Sequence, residues 1–174
     1  GDELSYKTPP GNYQLEVHNS YFESVSQSLE LSRAETVEIS PALKNINGTI
    51  AINSIPQGIE IKIDGVIKGK TPFTIEAQGG QYQAILSSAN YKTINDTIEL
   101  QNRFLHPTRN YQLSPKLAVL DLSAKPSKGL LLINNVEHQL GRIELPANKT
   151  HKIEYKKSGH ASYVNTVQLN KDKV

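Results

Sequence analysis

The chain contains no cysteine, no methionine and no tryptophan. Without cysteine there can be no disulfide, no thiolate metal ligand and no thiol nucleophile. The redox compartment is left open, since such a chain suits the cytosol, the periplasm or the extracellular space. Aromatic residues make up 6% of the 174 positions, so any core must be aliphatic, built from Ile, Leu and Val. No stretch reaches 18 apolar residues, and no segment is expected to span a membrane as a helix. Net charge is +2, too small to demand a nucleic-acid partner. With no Met at position 1, the expected start is a processed end from which any signal peptide or lipid anchor has been removed.

What is present is alternation. Residues 49 to 55 (TIAINSI) and 59 to 64 (IEIKID) switch between apolar and polar at period 2, the signature of half-buried strands. Asp64-Gly65 between IKI and VIK is a strong hairpin signal. Thr71-Pro72 redirects the chain, and Phe73, Ile75, Tyr82, Ala84 and Leu86 continue the pattern on either side of Gly79-Gly80. With Ile94 to Leu100 and Asn110 to Leu113, about seven short strands are expected, a count that suits a small sandwich. Ser24 to Leu31 reads as a strand through Val25, Leu29 and Leu31.

The chain also resembles itself. Shifted by 69 residues, Gly11-Asn12-Tyr13-Gln14 falls on Gly80-Gln81-Tyr82-Gln83, Phe22 on Tyr91, and Leu29-Glu30-Leu31 on Ile98-Glu99-Leu100. Ile39 to Leu43 aligns with Leu113 to Leu117. A further copy starts near Leu117, with Pro126 in the place of Pro56, Asn134-Asn135 in that of Asp64-Gly65, and Thr166 to Leu169 in that of Thr97 to Leu100. The expected organisation is a partial module over 1–45 (its C-terminal part), a complete module over 46–115, and a degenerate module over 116–174 lacking its last strand. Together these read as part of a longer array.

Ser54-x-Pro56-x-Gly58, Ile61-x-Ile63-Asp64-Gly65, Gly69-x-Thr71-Pro72-Phe73, Gly80-x-Tyr82 and Asn90-Tyr91 together resemble a PEGA module. Members of that family typically read S-x-P-x-G-A-x-V-x-[IV]-D-G, then G-x-T-P, G-x-Y and G-Y. Ile59 stands where the family's alanine would be. The third copy departs further: Pro126 to Gly129 is one residue too long, Thr-Pro is missing, and Gly159-His160 replaces Gly-Tyr. The resemblance implies an all-β fold of tandem small sandwiches, Ig-like or transthyretin-like, in bacterial or archaeal envelope or extracellular proteins. It implies no catalytic residues and no cofactor.

The residues themselves offer little chemistry. A phosphate-binding loop needs glycine amides opening a helix before its Lys and Ser or Thr. Gly65 to Thr71 ends in Gly-Lys-Thr, but strands flank it on both sides. The bland reading assigns every residue: Gly65 to a tight turn, Pro56 and Pro72 to strand starts, Gly58 to a bulge or bend, Lys68 and Lys70 to the protection of an edge strand. The histidines at 18, 106, 138, 151 and 160 lack zinc spacing. His151 and His160 align with Tyr82 and Tyr91 and are expected as semi-buried strand residues. No calcium loop and no nucleophile elbow occurs. The sequons at Asn47, Asn95 and Asn148 are read as coincidence.

Charge is distributed unevenly. Residues 1–45 hold seven acids and three bases (−4), residues 46–115 five and six (+1), and residues 116–174 five and ten (+5). If the basic end meets an anionic partner, Lys149, Lys152, Lys156 and Lys157 are the candidate contacts, with Lys152 and Lys156 on one strand face. Weak head-to-tail self-association is a second consequence.

The expected function is a non-enzymatic spacer or protein-interaction array in the bacterial cell envelope, periplasmic or extracellular, with a protein or a cell-wall polymer as partner. One alternative is a carbohydrate or peptidoglycan-binding module, which needs Tyr6, Tyr21, Tyr111, Tyr155 or Tyr163 clustered on one exposed face. The other is the accessory region of an enzyme or kinase on the same full-length chain.

Overall fold

Period-2 runs of Ile, Leu and Val broken by Gly, Pro, Asn and Asp leave strands and turns as the locally consistent structure. The computed structural model of the chain describes residues 4–170, and among these every regular element is a strand. Three bodies follow one another along the chain.

The first is an antiparallel hairpin of β1 (Gly11–Asn19) and β2 (Phe22–Leu31), paired with each other alone among the described strands. Its inner face carries Tyr13, Leu15, Val17, Val25, Leu29 and Leu31, all half-buried, and no residue from 4 to 45 is fully buried.

The second is a seven-strand sandwich. One sheet has the order β5 (Val66–Lys70), β4 (Glu60–Ile63), β7 (Gly80–Ser87), β8 (Ile94–Leu100), and the facing sheet has β6 (Phe73–Gln78), β3 (Asn47–Ile55), β9 (Thr108–Gln112). Its core packs Ile50, Ile52, Ile59, Ile61, Ile63, Ala84, Leu86, Ile98, Leu100 and Leu113. Phe73, Ile75 and Tyr82, expected in the interior from alternation alone, are half-buried at its margin. The pairing of β9 with β3 is parallel, and Leu105 and Pro107 extend it by accepting from the Thr49 and Ala51 amides at 2.9 and 3.0 Å. Gly48 permits that approach: a Cβ there would stand 2.0 Å from the Leu105 carbonyl oxygen.

The third body repeats this plan with fewer strands. β12 (Val136–His138), β11 (Leu130–Ile133), β14 (Lys149–Lys156) and β15 (Tyr163–Leu169) form one sheet, and β10 (Leu117–Leu122) with β13 (Gly141–Pro146) the other. Its core is smaller: Leu131, Ile133, Leu145, Ile153 and Leu169.

Three hairpins share one register. Gly11 pairs with Leu31, Gly80 with Leu100 and Lys149 with Leu169, and further along Tyr13 pairs with Leu29, Tyr82 with Ile98 and His151 with Val167. His160 departs from its expectation. It lies exposed in the turn before β15, because the chain re-enters that strand only at Tyr163.

Candidate functional site

The stretch from Ser54 to Phe73 is the most patterned part of the sequence, and the structure shows what each of its residues touches. Ser54 at the end of β3 and Thr71 before β6 turn inward and are 4% and 3% exposed. Buried hydroxyls need partners, and these two form a chain. The Ile59 amide donates to Thr71 Oγ1 at 3.1 Å, the two hydroxyls bond each other, and Ser54 Oγ donates to the Pro56 carbonyl at 2.6 Å. Since the Ser54 hydrogen is used on Pro56, Thr71 must donate to Ser54. Two main-chain bonds close the latch, Gly58 N to Thr71 O at 2.8 Å and Thr71 N to Ile59 O at 2.9 Å. No hydroxyl hydrogen remains for a ligand.

Gly58 has φ +80°, which turns the chain between Pro56 and β4. The bulge itself falls elsewhere, between Ile61 and Lys62 opposite β5. Asp64 and Gly65 take φ +49° and +80°, the positive pair that a tight hairpin turn requires. The Asp64 carboxylate accepts from the Gln83 amide at 2.8 Å. Asn134 repeats this in the third body: φ is +51° and its side-chain oxygen accepts from the Lys152 amide at 3.0 Å. Gly69 lies against the Phe73 ring, where a Cβ would stand 2.8 Å from a ring carbon. Pro72 leads directly into β6, and Lys68 and Lys70 sit on β5, an edge strand.

Gly80 and Tyr82 have counterparts. The Tyr82 hydroxyl donates to the Gln78 carbonyl at 2.7 Å, four residues back, and Tyr13 donates to Pro9 in the same way at 2.6 Å. In the third body His151, 2% exposed, takes over: Nε2 donates to the Pro146 carbonyl at 2.8 Å, while Nδ1 accepts from Asn134 Nδ2 at 2.9 Å. Tyr91 forms a bridge to Pro115 and packs on the central core.

The four candidate lysines are only partly brought together. Lys152 and Lys156 share the outer face of β14, but Glu154 lies between them and pairs with Lys156 at 3.0 Å. Lys149 is exposed at the other end of the strand, and Lys157 follows its last residue and is half-buried. The five tyrosines do not share one face: Tyr111 packs against the central core, Tyr6 and Tyr21 belong to the first body, and only Tyr155 and Tyr163 are neighbours, paired across β14 and β15 beside one pocket of the third body.

One polar cluster left no trace in the sequence. Asp96 on β8 and Arg109 and Tyr111 on β9 meet at the open seam of the central sandwich. The Tyr111 hydroxyl donates to Asp96 Oδ2 at 2.6 Å, and Arg109 Nε lies 3.9 Å from the same oxygen, buried and without a hydrogen bond. Burial, reinforced by the Asp96 hydrogen bond and charge, raises the Tyr111 pKa above the ordinary phenol range. This ties two strands of opposite sheets together. A cleft of about 740 Å³ opens at the far end, with Ile63, Ile75 and Ala77 as its floor and Asp64, Lys68 and Glu76 among its lining. Among the described residues no three His, Asp or Glu side chains converge as metal ligands, and no helix is long and apolar enough to cross a membrane.

Comparison with known proteins accords with this geometry. A family model of the PEGA domain matches residues 47–116. Residues 47–116 are a PEGA domain. Ser54, Pro56, Gly58 and Thr71 of its motif form the latch of the PEGA sandwich, Asp64 and Gly65 its hairpin turn, and Tyr82 and Tyr91 hold neighbouring main chain. Among solved structures the chain is similar to the Bacillus anthracis TIE protein, at 13% identity and a TM-score of 0.46. That similarity covers 94% of this chain, which spans 40% of the other. No curated protein matches the chain in sequence.

Proposed function

We propose that this chain is a non-enzymatic spacer or protein-interaction segment of a bacterial cell-envelope protein, built from tandem PEGA-like modules. The observation that carries the reading is the common register of the three hairpins. Cross-strand partners recur at 69-residue intervals (Tyr13 with Leu29, Tyr82 with Ile98, His151 with Val167), and the side chain at the first position each time bonds a carbonyl four or five residues back. Repetition of a folding unit, with its polar motif residues consumed in holding that unit, is what a modular scaffold needs and what a reaction centre does not. Location in the periplasm or outside the cell follows the family's usual setting and is compatible with the absence of a long apolar helix among the described residues.

The carbohydrate-binding alternative has less support, because the five tyrosines do not share one face; the neighbouring pair Tyr155 and Tyr163 beside one pocket is the aromatic surface left to it. The accessory-region alternative is a statement about a longer chain and shares the scaffold role. The test is to incubate the purified chain with peptidoglycan and with panels of hydrolase and transferase substrates. No turnover and no saturable sedimentation with peptidoglycan are expected. Turnover abolished by a single side-chain replacement, or tight peptidoglycan binding, would overturn the reading.

A further inference from the structure

The two joints between the three bodies are built alike. At the first, the β1–β2 turn grips the segment leading into β3: Glu23 N donates to Lys44 O at 2.8 Å, and Ile46 N donates to Tyr21 O at 3.2 Å. The same segment is then tied to the β6–β7 turn by Gly79 N to Ile46 O at 2.9 Å. At the second joint Lys92 N donates to Ser114 O at 2.9 Å, Lys116 N to Asn90 O at 2.9 Å, and Ala147 N to Lys116 O at 2.7 Å. Each joint also contains one antiparallel bridge, Phe22 with Asn45 and Tyr91 with Pro115. Donors and acceptors correspond one for one. The matching segments are Lys44 to Ile46 and Ser114 to Lys116, which shifts the alignment expected from Ile39 to Leu43.

Neighbouring domains joined by a polar linker move relative to one another by default. Here the residues at each joint, Lys44 to Ile46 and Ser114 to Lys116, are themselves held by main chain on both sides. Further bonds reinforce each bracket differently: the Asn102 main-chain amide donates to Ser20 O at 2.9 Å at the first, while the side-chain Lys116 Nζ and Asn148 Nδ2 donate to Ser88 O and Ala89 O at 2.9 and 3.2 Å at the second. Packing at the first joint is close. A Cβ on Gly79 would stand 2.2 Å from Tyr21 O and 2.7 Å from Ile46 Cγ1.

We infer that these backbone brackets lock successive modules into one repeated orientation, so that the chain is a stiff rod of constant step and not a string of independently tumbling beads. The inference rests on the scaffold reading above and adds a mechanical property to it.

The absence of native cysteine allows spin labels to be placed singly. Asn12, Gln81 and Thr150 are exposed positions spaced by 69 residues on equivalent strands. Pulsed dipolar measurements on the labelled pairs 12/81 and 81/150 are expected to give two narrow distance distributions with the same mean. Gly79→Val, or a Gly-Ser-Gly insertion between Asn45 and Ile46 inside the bracket, is expected to abolish the narrow 12/81 peak and leave 81/150 unchanged. Broad distributions in the unaltered chain, or means that differ, would overturn the fixed joint while leaving a flexible scaffold standing. Turnover or peptidoglycan binding in the preceding assay would remove the scaffold role without altering these distances.

Discussion

The central and C-terminal sandwiches differ most at one edge, and that edge shows what the PEGA motif is for. Counting from Pro56 and Pro126, Ile52 corresponds to Leu122 and Ser54 to Ala124. Across the sheet Ile52 faces Phe73, whereas Leu122 faces Gly141. Thr71, two residues before Phe73, is matched by Gln139, which is exposed. The C-terminal body therefore lacks both hydroxyls of the latch and the aromatic ring beside it. A pocket of about 250 Å³ opens there, lined by Leu122, Ala124, Leu131, Leu140 and Tyr155 among others. Where Ile50 and Ile52 are wholly buried in the central sandwich, Leu120 and Leu122 are half-buried. The hairpin register is common to both, so register alone does not seal a sandwich.

The largest expected effect tests that contrast directly. Ile52→Ala removes a fully buried side chain and should destabilise the central sandwich by about 2–5 kcal/mol in chemical denaturation. Leu122→Ala, already beside a pocket, should cost less than about 2 kcal/mol. Equal losses at the two positions would break the comparison.

Next in size is Phe73→Ala. Full burial would imply about 3–5 kcal/mol, but the ring is half-buried against Gly69, and a loss of about 2 kcal/mol is expected. Ser54→Ala should follow at about 1–3 kcal/mol, because it leaves the Pro56 carbonyl and the Thr71 hydroxyl short of a partner in a buried site. Ala124→Ser places a hydroxyl where no threonine answers it, and no gain in melting temperature is expected. A gain comparable with the Ser54 loss would show that the latch needs only one member.

The smallest expected effect concerns alkaline pH. The Tyr111 pKa is raised in the folded state by burial and by Asp96, above its unfolded value of about 10. Its contribution is therefore fully present below about pH 10 and is lost as pH rises beyond that toward the folded pKa. Melting temperature should be insensitive to this group at neutral pH and fall on the alkaline side. Tyr111→Phe should remove that alkaline fall and lower stability by about 1 kcal/mol at pH 7. In the C-terminal body Asn165 occupies the place of Asp96 and instead donates to the Tyr163 hydroxyl at 2.8 Å, so no matching behaviour is expected there.

These contrasts also mark what could be read from the sequence. Strands and hairpin turns were legible because alternation and Asp64-Gly65 are local signals, and the inward set Ile52, Ile61, Ile63, Ala84, Leu86 and Ile98 followed from them. The half-burial of Phe73 was not legible, since alternation assigns a face and says nothing of what covers it. Ser54 and Thr71 could be seen as motif residues, but they stand 17 positions apart and their hydrogen bond has no local signature. The Asp96, Arg109 and Tyr111 cluster depends on two strands in opposite sheets and was invisible for the same reason. The joints were hidden more deeply, because main-chain hydrogen bonds impose no residue type: Ile46 and Lys116 do the same work. Position 151 shows the limit of identity itself, where an imidazole replaces a phenol and keeps its bond to a carbonyl.

The central claim is that edge sealing, added to a shared hairpin register, sets the order of stability along the chain. Native-state hydrogen exchange resolved by residue tests it in one experiment, by comparing the slowest amides of the equivalent hairpins β1–β2, β7–β8 and β14–β15. Protection is expected to be greatest in β7–β8, lower in β14–β15 and least in β1–β2, where no residue is fully buried. Equal protection in all three, or greater protection in β14–β15 than in β7–β8, would contradict it.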